Sequence, residues 1–469
     1  MKVYVENLGI IKKAEFDVGD LTIICGANNT GKTYATYAFF GFLDYWNTGF
    51  IADLVNDDEI EKLLSTGSVK IDLGYIEKNV DRIISNACKE FTLHLPMVFA
   101  AHERYFANSV FKVKLSESET DFASIDSVRK PVGANRKPVY SMQKIKGDRH
   151  ITVSLVTKAE DISDINLDWI SHQVNRSMLD MLFSSVFYSP FIASIERTGA
   201  AMFQRELDIT RNRLLEQVSN RDKEINPVEL INTYFDRGYA GYALPVKEDV
   251  DFNRRLVDVV KHDSAIAKEH PDVVKFFDLI LGGEYRATKE GLYYLPHKSN
   301  VKLTMGESAS SVRSLLNIGI YIRHIAKPGD ILMIDEPELN LHPTNQRLMA
   351  QVLAMLVNSG IKVFITTHSD YIIKEINTLI MLNNCSSHTS RIMEKYQYQD
   401  SALLNKDSVK AYVARKELIS VDGKKVRQKH NTFVPAPIGV QGIEVLDFDE
   451  TIDIMNEIQD ELLFGGVLQ

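Results

Sequence analysis

The chain opens on alternation. KVYVENL (residues 2–8) sets apolar side chains at every second position and predicts a strand, and residues 14–25 predict another that ends in the apolar run LTIIC, just before a glycine loop. The next text, TYATYAFFGFLDYW, is apolar on several faces and predicts a buried helix. Between 51 and 180 the segments MVFAAHERYF, SVFKVKLS and HITVSLVT alternate or carry many β-branched residues, so a β-rich insertion is expected there. FYSPFIASIERTGA (187–200) reads as a buried strand leaving the core through a polar turn. Residues 201–282 carry charged, helix-period text interrupted by Pro227 and Pro245, which predicts a helical lobe. EYRATKEGLYYLP (284–296) predicts a β-hairpin turning at Gly291.

From there the pattern becomes regular. ESASSVRSLLNIGIYIRHI predicts a polar loop and a helix, DILMIDEPELNLHP a strand and a loop, QRLMAQVLAMLV a helix, and KVFITTHSD a strand ending in a polar turn. That alternation predicts an α/β fold, a sheet with crossover helices. The expected organisation is a head in three pieces, 1–50, 181–200 and 283–469, interrupted by the insertion at 51–180 and the lobe at 201–282. No fixed-period repeat or low-complexity tract occurs.

Composition narrows the class. Of 469 residues 45% are apolar, enough for a sizeable core in two or three structural units. The balance of 63 acidic against 54 basic residues, a formal charge of −9, argues against a surface built throughout for phosphate backbones while leaving a local basic channel open. Cys25, Cys88 and Cys385 lie far apart with no C-x-x-C pair, which points to neither a disulfide framework nor a zinc knuckle and suits the reducing cytosol. No apolar run approaches the roughly 18 residues of a membrane span.

Three stretches carry chemistry. GANNTGKT fits the phosphate-binding pattern G-x-x-x-x-G-K-[ST], and its flanks of strand and helix are the context such a loop needs. Gly26, Asn28, Asn29, Thr30 and Gly31 form the loop whose backbone N–H groups converge on a β-phosphate; Lys32 neutralises β- and γ-phosphate charge, and Thr33 offers a hydroxyl to Mg²⁺. Asp335 and Glu336 stand where the buried run ILMID emerges at the carboxyl edge of the sheet, the edge where open α/β sheets bind ligands. Asp335 suits the magnesium ion and Glu336 the polarisation of an attacking water. His368, just past the next buried strand, can hydrogen-bond a γ-phosphate or that water.

GANNTGKT, IDEPELNLHP and TTHSD, in this order and with ERTGA (196–200), resemble the ABC-type ATPase heads of the SMC, Rad50 and overcoming-lysogenization-defect (OLD) group, which includes ATPases of bacterial anti-phage systems. The resemblance covers about residues 1–45 and 283–375. It implies an ABC-type P-loop ATPase head using ATP and Mg²⁺, with heads that pair so that each nucleotide is also touched by the other copy. The family's signature loop matches ESASSVRSL, where Ser310 and Ser311 would reach the γ-phosphate held by a second head; Val312 stands where the pattern has glycine, and a capped helix start explains the same serines. Asn340 matches the D-loop at the head-to-head interface. No glutamine matches the Q-loop.

Lys32 and Asp335 are 303 positions apart, so something is inserted between them, and the broken helical text suits a compact lobe better than a long coiled-coil arm. Three functions stay open. The resemblance to anti-phage ATPases implies a switch that holds a separate Toprim-type effector nuclease and releases it in response to a phage trigger protein. An OLD-like nuclease in this same chain would use the acid pair Asp447 and Asp449 of DFDETID. A DNA-clamping repair ATPase would use the basic run GKKVRQKH (423–430), which a solvated hairpin also explains.

Overall fold

The computed structural model describes residues 1–134, 137–156, 167–203, 241–288, 291–384, 388–420, 427–444 and 454–462. Asp447 and Asp449, Pro227 and most of the predicted helical stretch from 204 to 240, and residues 423–426 of the basic run lie outside this description. The chain divides into two compact units: Met1–Tyr4, Gly41–His94 and Val110–Ser189 form the first, and Val5–Phe40, Leu95–Ser109 and Pro190–Gln469 the second.

Along the chain the strands are β1 Lys2–Leu8, β2 Ile11–Asp17 and β3 Leu21–Cys25, then β4 Ser68–Asp72, β5 Val110–Lys114, β6 Val128–Ala134, β7 Lys137–Lys144 and β8 His150–Leu155. They continue with β9 Ser189–Ala193, β10 Gly283–Thr288, β11 Gly291–Pro296, β12 Leu303–Thr304, β13 Asp330–Asp335, β14 Lys362–Thr367, β15 Val409–Ser420 and β16 Arg427–Pro435.

In the first unit an antiparallel sheet in the order β4-β8-β7-β6 is accompanied by helices, among them Asp57–Thr66 and Leu167–Phe183. An aromatic cluster fills its core: Phe111 lies 5.0 Å from Phe42 and 4.9 Å from Phe91 between ring centroids, and Trp46 lies 4.1 Å from Phe187. Such rings bury large apolar areas, and the Phe91–Phe111 pair adds edge-to-face attraction.

The insertion is therefore mixed, where a β-rich one was expected. SVFKVKLS and HITVSLVT do form β5 and β8, whereas the opening of MVFAAHERYF is the last turn of the helix Leu73–Val98. Leu73, Ile76, Val80, Ile83, Ala87, Phe91, Leu95 and Val98 are all buried, a helical stripe of threes and fours. That longer period overrides the strand-like composition of its final residues.

The sheet of the second unit runs β1-β2-β16-β15-β3-β14-β13-β9. β3 lies between β14 and β15 and is parallel to both, and β13 is parallel to β14. Helix Pro343–Asn358 connects β13 to β14, so the crossover pattern expected of α/β text is met. Residues 283–288 and 291–296 pair as the two strands of the predicted hairpin, with Thr288 opposite Gly291, so Gly291 is the first residue of the second strand. β15 and β16 pair antiparallel from Ser420 opposite Arg427 to Tyr412 opposite Pro435, so the described part of the basic run, Arg427 to His430, lies in β16.

The predicted helical stretch 201–282 is helical over Leu244–Arg254 and Pro271–Leu281, yet these helices do not stand apart as a lobe. Phe252, Leu256, Ile266, Val273, Phe276 and Ile280 share one apolar core with Leu21, Ile23, Leu332 and Ile365 of the sheet. Amphipathic helices without a partner leave an apolar stripe in water, and the sheet's helix layer is where this stripe is buried.

Candidate functional site

The three chemistry-bearing stretches meet at one sheet edge. Parallel pairing aligns Cys25 of β3 with Thr367 of β14, and Thr366 with Asp335 of β13, so Gly26, His368 and Glu336 all follow adjacent strand ends. The loop after β3 is confined by glycine geometry at two points. Gly26 has φ +133°, and an added Cβ would fall 2.5 Å from the Ala414 carbonyl oxygen; Gly31 has φ +102°, and a Cβ there would fall 2.4 Å from Ile11. Any side chain would be both strained and overlapped. Asn28 and Asn29 are exposed at the tip, Asn29 in the left-handed region, and the Thr30 hydroxyl donates to the Ala27 carbonyl at 2.8 Å.

Helix Lys32–Thr48 starts directly out of this loop, so its first N–H groups and the positive end of its dipole face the loop. Lys32 is buried, and its ammonium donates to the Gly26 and Ala27 carbonyls at 2.9 Å each. Burial pushes its pKa down, while Glu336, Asp335 and Glu338 pull it back up. Thr33 donates its hydroxyl to Asp335 Oδ2 at 2.9 Å, and Thr366 donates to Asp335 Oδ1. Burial, the largest influence, raises the Asp335 pKa against both hydrogen bonds.

Glu336 sits in the left-handed region at φ +53°, uncommon for a residue with a side chain and characteristic of functional sites. Its N–H donates to the Thr366 carbonyl at 3.1 Å and its carbonyl accepts from Arg197 at 2.7 Å. His368 Nδ1 lies 3.3 Å from Glu336 Oε1 and 3.4 Å from Glu338 Oε1. With two carboxylate acceptors facing it, Nδ1 carries the hydrogen, which leaves Nε2 as the nitrogen available to a ligand.

Glu338 is the residue that motif reading missed. Its Oε1 accepts from the Thr367 hydroxyl at 2.7 Å and from the His368 N–H at 2.8 Å, while Oε2 is buried without a hydrogen bond. Desolvation raises its pKa. The available signal was its acidity two positions beyond Glu336, inside a loop that has to turn back into the sheet edge. Arg197 was flagged only as part of ERTGA; it is 1% exposed, and all its hydrogen bonds go to backbone carbonyls.

The other candidates stand on the surface. Ser310 opens helix Ser310–His324 and is exposed, Ser311 is half-buried, and Asn340 is exposed with φ +60°. Lys32, Thr33, Asp335, Glu336 and His368 are thus gathered on one edge, whereas the serines belong to a separate helix start.

The arrangement fits a nucleotide triphosphate with Mg²⁺. The loop offers N–H groups and an ammonium to phosphate oxygens, and the Thr33 and Asp335 pair supplies the hard oxygen ligands magnesium prefers. Among the described residues no group of three or more His, Cys, Asp or Glu is arranged to hold a metal alone, so the phosphates and water would complete the ion's shell.

Asp249 lies behind this edge. It is fully buried, accepts from the Ser194 N–H at 3.0 Å and from the Asn317 amide at 2.6 Å, and burial raises its pKa from 3.8 to about 7. Between these values the folded chain keeps a proton that the unfolded chain has lost. The stabilisation that protonation gives is therefore complete below about 4 and lost as pH rises through about 7. Asp249→Asn should raise the melting temperature relative to the parent more at pH 8 than at pH 5; an equal offset at both would contradict the shift.

A phosphate loop, an acidic strand end and a histidine on the strand between them define a P-loop nucleotide-binding protein. A family model described as an AAA ATPase domain matches residues 1–373, and the chain belongs to that family. No curated protein matches. Among solved structures the chain is similar to an SMC head bound to the C-winged helix domain of ScpA, at 12% identity over 92% of this chain and 97% of that one, with a TM-score of 0.31. It is also similar to a Smc head domain with an extended coiled coil bound to the C-terminal domain of ScpA, derived from Pyrococcus furiosus (12%, 98% and 98%, 0.29), and to the SMC head domain from Thermotoga maritima (12%, 93% and 98%, 0.27). With TM-scores this low, the family match and the site geometry carry the assignment. No described helix is long and apolar enough to cross a membrane.

Proposed function

We propose that this chain is an ATP-driven switch whose ABC-type heads pair around ATP and Mg²⁺, with Ser310 and Ser311 of one copy closing the phosphate loop of another. The observation that carries the reading is the split between a gathered half-site, Lys32 with Asp335, Glu336 and His368, and surface positions at Ser310, Ser311 and Asn340. A hydroxyl pair at a helix start can contact a γ-phosphate only where a second molecule brings one to it. Lys32 and the loop amides hold the phosphates, Asp335 and Thr33 hold Mg²⁺, Glu336 polarises the attacking water, and Nε2 of His368 meets the γ-phosphate or that water. Glu338 orients His368 by holding its backbone N–H.

The switch's output is proposed to lie in another protein. The chain length and the late acidic motif resemble those of AriA, the ATPase subunit of PARIS anti-phage systems, which holds the separate Toprim-type nuclease AriB and frees it when a phage trigger protein is sensed. Co-expression with the neighbouring reading frames tests this: a stoichiometric nuclease-like partner released on challenge with the trigger supports it, and isolated heads bound to duplex DNA would replace it with the clamp reading. His368→Ala should slow ATP turnover by about tenfold to a hundredfold with little change in ATP affinity. Steady-state phosphate release measures this, and parental turnover would remove His368 from the site.

A further inference from the structure

We propose that Arg197 is a positioning residue that couples the two ATP sites of a pair, by joining the helix that carries Ser310 and Ser311 to the backbone of Glu336 in the same chain. The inference rests on the paired-head reading above and adds a route by which one site informs the other.

Arg197 opens a short helix after β9 and is wholly enclosed. Its Nε donates to the Ser314 carbonyl at 2.9 Å, Nη1 to the Ser194 and Asp335 carbonyls at 2.7 Å each, and Nη2 to the Glu336 carbonyl at 2.7 Å. One rigid fork thus spans the strand end at Ser194, the start of helix Ser310–His324 and the exit of β13. A lysine ammonium could not reach these in one geometry, because its donors radiate from a single atom.

A second buried link runs in parallel. Asn317, on the same helix as Ser314, donates to Asp249, which also accepts from the Ser194 N–H. The helix is therefore tied to the Arg197 turn twice, at Ser314 and at Asn317, and through Arg197 to a glutamate held at φ +53°. A packed, hydrogen-bonded connection of this kind moves as a unit. When ATP on one copy is gripped by Ser310 and Ser311 of the other, displacement of that helix start passes through Ser314 and Arg197 to the second copy's Glu336, at the second copy's own nucleotide. Binding at one site thereby prepares hydrolysis at the other.

The test is the ATP dependence of turnover. In the parent the Hill coefficient should approach about 2, the number of sites in a pair. In Arg197→Lys it should fall to about 1, with kcat down about a hundredfold and nucleotide Kd within about threefold, since the phosphate loop is untouched. Asn317→Ala, which breaks the parallel link with a smaller change, should lower the Hill coefficient in the same direction and carries the test if Arg197→Lys fails to fold. A folded Arg197→Lys protein with parental cooperativity and kcat overturns the coupling. A parent without cooperativity whose turnover is indifferent to Ser311→Ala overturns the paired-head reading itself.

Discussion

Lys32→Ala should weaken ATP binding by about 10²–10³-fold and abolish turnover, because removing one member of a buried charged set costs about 3–5 kcal/mol. Three carboxylates, Asp335, Glu336 and Glu338, already bear on Lys32, and burial is the largest influence on its pKa. Without the ammonium, incoming phosphates meet those carboxylates, and the neighbouring Arg197 guanidinium spends its hydrogen bonds on carbonyls. The change also removes the two hydrogen bonds that gather Gly26 and Ala27 around the amine, so the loop is less organised before ligand arrives. Titration with a fluorescent ATP analogue reads the effect. Affinity within threefold of the parent would mean that this loop is not the phosphate site.

Glu336→Gln should separate binding from chemistry. Glutamine has the same shape, keeps an oxygen for the His368 Nδ1 hydrogen and leaves the carbonyl held by Arg197 in place, but it takes up no proton from water. Loss of general-base assistance predicts a fall in kcat of about 10²–10⁴-fold with ATP affinity retained. Because the ATP-bound state then persists, paired heads should accumulate on size-exclusion chromatography with light scattering when ATP is added. Parental hydrolysis in the variant would take the catalytic role from Glu336; slow hydrolysis with no pairing would keep the role and end the paired-head reading.

Much of this was legible locally. β3, β13 and β14 follow directly from apolar runs, since a strand buried on both faces has to be apolar throughout. Gly26, Lys32, Thr33, Asp335, Glu336 and His368 were marked by motif and by position at a strand end. The less legible elements depended on partners distant in the chain. The end of helix Leu73–Val98 reads as strand until the helical spacing of its 26 residues is followed back to Leu73. The helices between 244 and 281 read as a lobe because nothing local says that Phe252 and Phe276 share a core with Leu21 and Leu332.

The sequence by itself determined a phosphate loop, an acidic strand end and a histidine, because each is a short pattern whose chemistry is carried by its own side chains. Only the tertiary structure decided that Glu338 holds His368 and that Arg197 joins Ser314 to Glu336, because their partners are largely backbone groups, which every residue has and no motif records. Parallel pairing of β3, β14 and β13 brings strand ends hundreds of residues apart to one edge, and burial there gives their charges their strength.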